Sequence, residues 1–406
     1  MARSNPNHFR TDFCLVLANQ VLEDEATKGN TNSNIVVSPL SLHVILSLVA
    51  AASKGHTLEQ LLFFLGSTSV SDLSLLTSHM FNLTSLDDHE ESEVLSAGDH
   101  LLLSFVYGAW IDRRFNLKPS FERLVKDHYK AEIRNDIDFL NEPLEAVDEI
   151  NSWAEKATKG LVTKLLPYDS VNCDTALVLA NALYFKAKWE KKFDASRTQA
   201  RNFHLLNGQI VQAPFMTTDS FLGRYHLYKC FDGFKVLQIP YQSGQDPPKF
   251  SMYFFLPDAK DGLLNLIQKL KSNPDLLYKK FELTEDKLTD FWIPKFKFSF
   301  GFKASDTMRK MGLEKIFNPG ELTEMLNIPD IANRKLFVAS IFHKSYIEVN
   351  EVGTEAAAST AVLFELQRAR RYPSFVADHP FLFMIREERH GIVFFVGAVL
   401  NPLLDS

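Results

Sequence analysis

Near Thr175 the hydrophobic pattern of this chain changes period, from helical to strand-like, and no linker marks the change. Upstream, Thr11-Asp12 offers cap residues before Phe13, Leu15, Leu17, Ala18 and Val21, the spacing of an amphipathic helix. Ser38-Pro39 supplies an N-cap and a first-turn proline for a helix running to Ala52, with Gly55 expected to close it. Thr57 is expected to begin the next helix and Gly66 to end it, and Glu145 to Gly160 reads as another. Downstream, Thr175 to Trp189 is strand-like, and Phe250 to Leu256 is a continuous apolar run of the buried-strand kind. Phe296, Phe298 and Phe300 alternate with Lys295, Lys297 and Ser299 within one stretch from Phe291. Ser305 to Ile316 returns to helix, and Phe381–Ile385 with Gly391–Leu400 suggests a closing hairpin. Helices first and strands later predict an α+β fold.

Composition stays even, without repeats or a Pro- or Gly-rich linker, so residues 1–406 read as a single domain. The formal charge of −6 and the absence of clustered Lys and Arg argue against a nucleic-acid partner. The longest apolar run, Ile35 to Ala52, contains Ser38, Pro39, Ser41, His43 and Ser47, so a buried helix is expected and no membrane span. Cys14, Cys173 and Cys230 form neither a disulfide framework nor a zinc motif, which suits a reducing compartment. The first residues lack the apolar core of a secretion signal, so a cytoplasmic location is expected and Asn82-Leu83-Thr84 should stay unglycosylated.

No nucleophile elbow, His-Glu-x-x-His, Cys-x-x-Cys, P-loop or Gly-x-Gly-x-x-Gly occurs, so neither an enzyme, a metal site nor a cofactor is expected. Ser38 and His343 sit in apolar surroundings, where structural hydrogen bonding is the expected role.

The informative stretch runs from Glu348 to Pro380. Thr354, Ala356, Ala358, Thr360, Val362 and Phe364 form one alternate set without charge, while Glu355 and Glu365 fall in the other. In an extended strand the two sets face opposite sides, so one could be buried and the other left in water. Gly353 supplies backbone freedom at the root. Composition alone allows an Ala-rich helix equally well.

Several blocks in order resemble the serpin family, and within it the plant branch. They include Asn34 to Ser41, Lys54-Gly55-His56-Thr57, Ile150 to Gly160, Leu165-Leu166-Pro167 and Ala180 to Trp189. Glu348 to Ala357, Phe375 to Phe383 and Gly397 to Pro402 complete the series. The resemblance implies about nine helices and three β-sheets, with an exposed reactive-centre loop at about 351–374. It implies a suicide substrate of metastable fold: a protease cleaves the loop, forms an acyl-enzyme, and is distorted when the loop inserts as a central strand. Glu351, Gly353, Thr354, Glu355, Ala356, Ala357 and Ala358 match the hinge. Ser38, Ser41, Asn181 and His343 match the polar cluster under the opening sheet, and Trp189 the point where insertion begins. Val352, Ser53 and Glu321 to Met325 depart from the usual pattern, with local packing in question at the last. Bulky, charged or Pro residues mark the hinges of non-inhibitory members; the inserting face here has none.

The family's usual loop length, counted from Glu351, puts the bait bond between Gln367 and Arg368. Leu366 is then placed for the apolar pocket of papain-like cysteine proteases. A loop one residue longer moves the bond to Arg368-Ala369, which suits trypsin-like serine proteases or metacaspases. The expected partners are therefore proteases, met by a monomer. The alternative is a non-inhibitory member acting as a binding or chaperone-like module.

Overall fold

The computed structural model describes residues 12–27, 33–84, 102–218, 225–242, 248–273, 281–320, 322–327, 336–351 and 373–404. Among these it has eight α-helices and three sheets, against the nine or so helices expected for the whole chain. The fold is α+β, as the change of period predicts.

Helix α1 (Asp12–Thr27) and helix α2 (Pro39–Ala51) lie on either side of a short strand, β1 (Ile35–Val37). Ser38 caps α2, its hydroxyl accepting from the Ser41 N–H, and Pro39 occupies the first turn. Residues 39–50 are all buried, because this helix is apolar around its whole circumference. The helix ends at Ala51, with Ala52 as its C-cap, and not at Gly55. Gly55, at φ 55°, instead opens α3 (Gly55–Leu65), ahead of the expected start at Thr57. The Ser53 hydroxyl donates to the Val49 carbonyl at 2.7 Å, which accommodates that departure inside the core.

Helix α4 (Val70–Thr84), strand β2 (Leu102–Asp112), α5 (Pro119–Tyr129), β3 (Glu132–Ile137), α6 (Pro143–Ala157) and β4 (Leu177–Lys186) follow. Next come β5 (Gln199–His204), β6 (Ile210–Met216), β7 (Tyr225–Phe231), β8 (Phe234–Pro240), β9 (Phe250–Pro257), α7 (Leu263–Ser272) and β10 (Thr284–Lys287). The expected single stretch from Phe291 is two strands, β11 (Phe291–Pro294) and β12 (Phe296–Lys303), in different sheets. The chain crosses between them at Lys295, just after a proline that cannot donate to a ladder. The helix expected to reach Ile316 is shorter: α8 (Ala304–Lys310) stops before Gly312, at φ 92°, and a 3-10 turn covers Lys315–Phe317. Strands β13 (Ser340–Val349), β14 (Phe375–Val376), β15 (Phe381–Glu387) and β16 (Val393–Val399) complete the fold.

The sheets have the orders β1-β16-β15-β9-β8-β7-β10, β14-β11-β6-β5 and β12-β13-β4-β2-β3. A large core fills the interior, with α2 in contact with both β16 and β4. A second, smaller core lies on the other face of the five-stranded sheet. There Val147, Ile150 and Ala154 of α6 pack with Val178, Ala180, Ala182 and Phe342. Helix α6 and the linker after it therefore cover both β4 and β13.

The Leu322 to Met325 stretch, whose sequence departs from the family pattern, packs normally. Leu322 and Met325 are buried, and Glu324 pairs with Lys54 at 2.8 Å. Glu321 lies outside the described residues.

Candidate functional site

The centre of the five-stranded sheet is a parallel seam. Strands β13 and β4 pair in register over eight positions, Ser340↔Val178 to Ile347↔Phe185. The chain leaves the end of β13 through Asn350 and Glu351 and re-enters the described residues at Pro373. Gly353, Thr354, Glu355, Ala356, Ala357, Ala358 and the bait residues Gln367, Arg368 and Ala369 lie outside the described residues. Their sequence position still matters. A chain turning back from Glu351 beside β13 runs antiparallel to β13 and, because the seam is parallel, antiparallel to β4 as well. One new strand would replace one parallel pairing by two antiparallel ones, the slightly more stable kind.

The seam is tied from behind by a sealed polar cluster. Ser38, Ser41, Asn181 and His343, brought from α2's cap, β4 and β13, are all essentially inaccessible to solvent. Asn181 Oδ1 lies 3.0 Å from His343 Nδ1, and the Ser38 N–H donates to His343 Nε2 at 3.2 Å. An amide oxygen only accepts and a backbone N–H only donates, so the ring carries its proton on Nδ1. The Ser345 hydroxyl then donates to Nε2 at 2.8 Å. Asn181 Nδ2 donates to Ser41 Oγ at 2.5 Å, and the Ser41 hydroxyl donates to the Ser38 carbonyl at 3.0 Å. Burial pushes His343 down to about 3, which keeps it neutral. Sequence reasoning omitted Ser345, although its position two residues after His343 on one strand face was a usable signal. The Ser345 hydroxyl contacts His343 as a nucleophile would contact a base, but Ser41, Asn181, His343 and Ser345 are all sealed from solvent, so the arrangement serves as buried hydrogen bonding. The Asn181–His343 bond bridges the seam, so any strand entering there must break it.

At the top of β13 the loop root is clasped. Trp189 Nε1–H donates to the Asn350 carbonyl at 2.9 Å, and the indole stacks on Tyr241 at 4.4 Å between ring centroids. Glu351 is buried, receiving the Thr198 hydroxyl at 2.6 Å and the Lys295 ammonium at 2.7 Å. Burial alone would raise its carboxyl, but Lys295 and Thr198 outweigh it and hold the group below its ordinary value. Thr198, Tyr241 and Lys295 come from distant segments, and the sequence offered no sign of them as partners. Replacing Glu351 by Gln should cost about 1–2 kcal/mol in urea unfolding, because Lys295 is half-exposed and water partly replaces its partner. The ionic part is fully present above the ordinary carboxylate range and is lost as pH falls below it. The wild-type advantage over Glu351→Gln should therefore shrink in acid; an advantage that grows there would contradict the clasp.

At its other end the loop is anchored by β14, which pairs with β11 over two residues only, Phe291↔Phe375 and Trp292↔Val376. Thr289 N–H donates to the Pro373 carbonyl at 2.9 Å and Phe375 N–H to the Asp290 carbonyl at 2.8 Å. No group of three or more metal-ligating side chains occurs among the described residues.

Comparison with known proteins places this architecture. A family model described as Serpin (serine protease inhibitor) matches residues 8–402. Serpin-ZX of Arabidopsis thaliana is 45% identical over 381 residues, covering 93% of this chain and 94% of its own. Serpin-ZXA of Oryza sativa subsp. japonica is 44% identical, with 98% and 97% covered. The Arabidopsis AtSerpin1 structure in its native stressed conformation superposes with a TM-score of 0.86 at 43% identity, covering 99% of this chain and all of the other. Uncleaved ovalbumin, at 23% identity and a TM-score of 0.77, shares the fold. Matched by that family model over nearly its whole length and by full-length relatives at 44–45% identity, the chain belongs to the serpin family of protease inhibitors.

Proposed function

We propose that this chain is a suicide-substrate inhibitor that traps proteases by inserting its cut loop into the seam between β4 and β13. The parallel pairing of those strands carries the reading, because it leaves one place where the continuation of β13 gains two antiparallel neighbours. The protease nucleophile attacks the carbonyl of Gln367, the Arg368 amine departs, and the acyl-enzyme is dragged along as residues from Thr354 onward enter the sheet. Insertion deforms the protease before water can release it. The likeness to a native stressed conformation supports a seam that is closed and waiting.

Papain-like cysteine proteases are the proposed targets for Gln367-Arg368; trypsin-like serine proteases or metacaspases are those for Arg368-Ala369. The protein works as a monomer in the cytoplasm, where the exposed thiols of Cys173 and Cys230 stay reduced. Gln367→Ala and Arg368→Ala, mixed separately with papain-like and trypsin-like enzymes, test the bait on denaturing gels. Loss of the trypsin-like complex in Arg368→Ala alone, with the papain-like complex intact, is the expected pattern. Complexes unaffected by either change would put the bond elsewhere, and clean cleavage without any covalent complex would favour a non-inhibitory binding module.

A further inference from the structure

On the face of β12 and β13 that turns towards α6 lies an open groove of about 1100 Å³ that the trapping mechanism does not use. Its floor is β12 from Ser299 to Lys303 with Phe342 and Lys344 of β13, and its wall is α6 with the linker from Thr163 to Ser170. Asn151 of α6 fixes that linker. Its Oδ1 accepts the Leu165 and Leu166 N–H groups, each at 2.8 Å, and its Nδ2 donates to the Leu166 carbonyl at 3.0 Å. The groove is thus built in advance, at the size of a site for a small organic molecule.

Its charges are unbalanced. Lys344 stands opposite Gly301, and the missing side chain there lets the lysine stem cross β12: a Cβ on Gly301 would lie 3.2 Å from Lys344 Cδ. The stem carries its ammonium to the linker, where it donates to the Lys164 carbonyl at 2.8 Å. An ammonium has three donors, and among the described residues no second acceptor serves this one. Lys164 and Lys303 also line the groove, and no carboxylate among the described residues pairs with any of the three lysines. Asp148 of the α6 wall instead accepts from the Tyr168 hydroxyl at 2.8 Å. Burial, and then Lys164, hold the Lys344 ammonium below its ordinary value, as expected where like charges meet without a counter-ion. Ser152 and Thr163 add hydroxyls to the wall that make no hydrogen bond among the described residues.

We propose that this groove binds a phosphorylated sugar, with its phosphate between the Lys164 and Lys344 ammoniums and its hydroxyls on the α6 wall. A phosphate monoester carries close to two negative charges at neutral pH, which matches two ammoniums. Occupancy also acts on trapping. Asn151 ties Lys164 to α6, which packs on Val178, Ala180 and Ala182 of β4, while Lys344 belongs to β13. A strand entering between β4 and β13 moves them apart by about 4.8 Å, farther than the bond from Lys344 to the linker can stretch. A dianion gripping both lysines adds a second tie across the same gap, so the occupied chain traps more slowly. This consequence rests on the seam being the insertion site proposed above; the binding itself does not.

Calorimetric titration of the intact chain with glucose 6-phosphate tests the site. One-to-one binding is expected, weaker with inorganic phosphate and absent with glucose. Lys164→Met and Lys344→Met should each weaken it about ten-fold or more, the range for one lost hydrogen bond to a charged group. Lys126→Met, on the exposed side of α5, removes the same charge elsewhere and should leave binding unchanged. Saturating glucose 6-phosphate should also slow covalent-complex formation by wild type and have no effect on Lys344→Met. No binding of either phosphate at about 10 mM overturns the site. So does binding indifferent to Lys164→Met and Lys344→Met, or weakened equally by Lys126→Met. Binding that leaves the trapping rate unchanged overturns the tie across the seam. A wild type that forms no covalent complex, with or without the sugar phosphate, counts against the insertion reading alone, since the titration reports the site without a protease.

Discussion

Thr354→Arg is expected to leave the protein folded and its loop cleavable while abolishing the covalent trap. Thr354 leads the charge-free alternate set, and the neighbours awaiting it are apolar. Along β13, Ile341, Ile347 and Val349 point into the main core, and Phe342 points into the smaller core under α6. A guanidinium entering the apolar side of that seam must give up its hydration, and a buried charge left unpaired costs several kcal/mol. Each 1.4 kcal/mol added to the insertion barrier slows it about ten-fold. Insertion a thousand times slower loses the race with deacylation, so the protease departs active and the variant is consumed as a substrate. Stoichiometry measured by titration should rise steeply, with cut inhibitor replacing complex on the gel. Wild-type rate and stoichiometry in Thr354→Arg would rule out insertion led by this residue.

The second large effect concerns heat. Cleaving the loop should raise the unfolding midpoint by about 10–30 degrees, where an ordinary loop nick leaves it unchanged or lower. A new strand between β4 and β13 gives up eight parallel pairs and gains an antiparallel ladder on each side. The net gain is on the order of ten backbone hydrogen bonds and the burial of the small residues, together roughly 10–20 kcal/mol. For 406 residues the unfolding entropy is about 0.85 kcal/mol per degree, which sets the range. Calorimetry of protein cut cleanly at the bait bond, beside intact protein, measures it. An unchanged midpoint would identify a loop that is cut without entering the sheet.

The sequence announced those parts of the molecule that depend on local chemistry. Ser38-Pro39 opened α2 as its capping chemistry requires, and the Phe250 to Leu256 run became β9, buried along its length. Boundaries set by the next element were less legible. Gly55 looked like a helix end and is a helix start, because the turn between α2 and α3 is made by Ala52-Ser53. The alternation from Phe291 to Phe300 gave no sign of the change of sheet at Lys295, since both strands bury their Phe residues. In the polar cluster, family likeness pointed to Ser38, Ser41, Asn181 and His343; the i+2 spacing on β13 could have added Ser345, but only distance revealed the proton on Nδ1. The clasp on Glu351 was unreadable for a similar reason. Its partners Thr198 and Lys295 stand 153 and 56 positions away, and nothing in a single sequence couples them.

If the closed seam between β4 and β13 takes in one strand, as proposed, that arithmetic would govern how such a molecule acts on a population of proteases. An inhibitor that binds and releases sets a level of residual activity by its affinity. A chain that fills that seam would be spent, one copy for each enzyme removed. Protection then behaves as a titration with an end point: proteolysis stays near zero until the last intact copy is used, and rises abruptly afterwards. The number of copies held in reserve, and not the strength of any contact, fixes where that threshold falls.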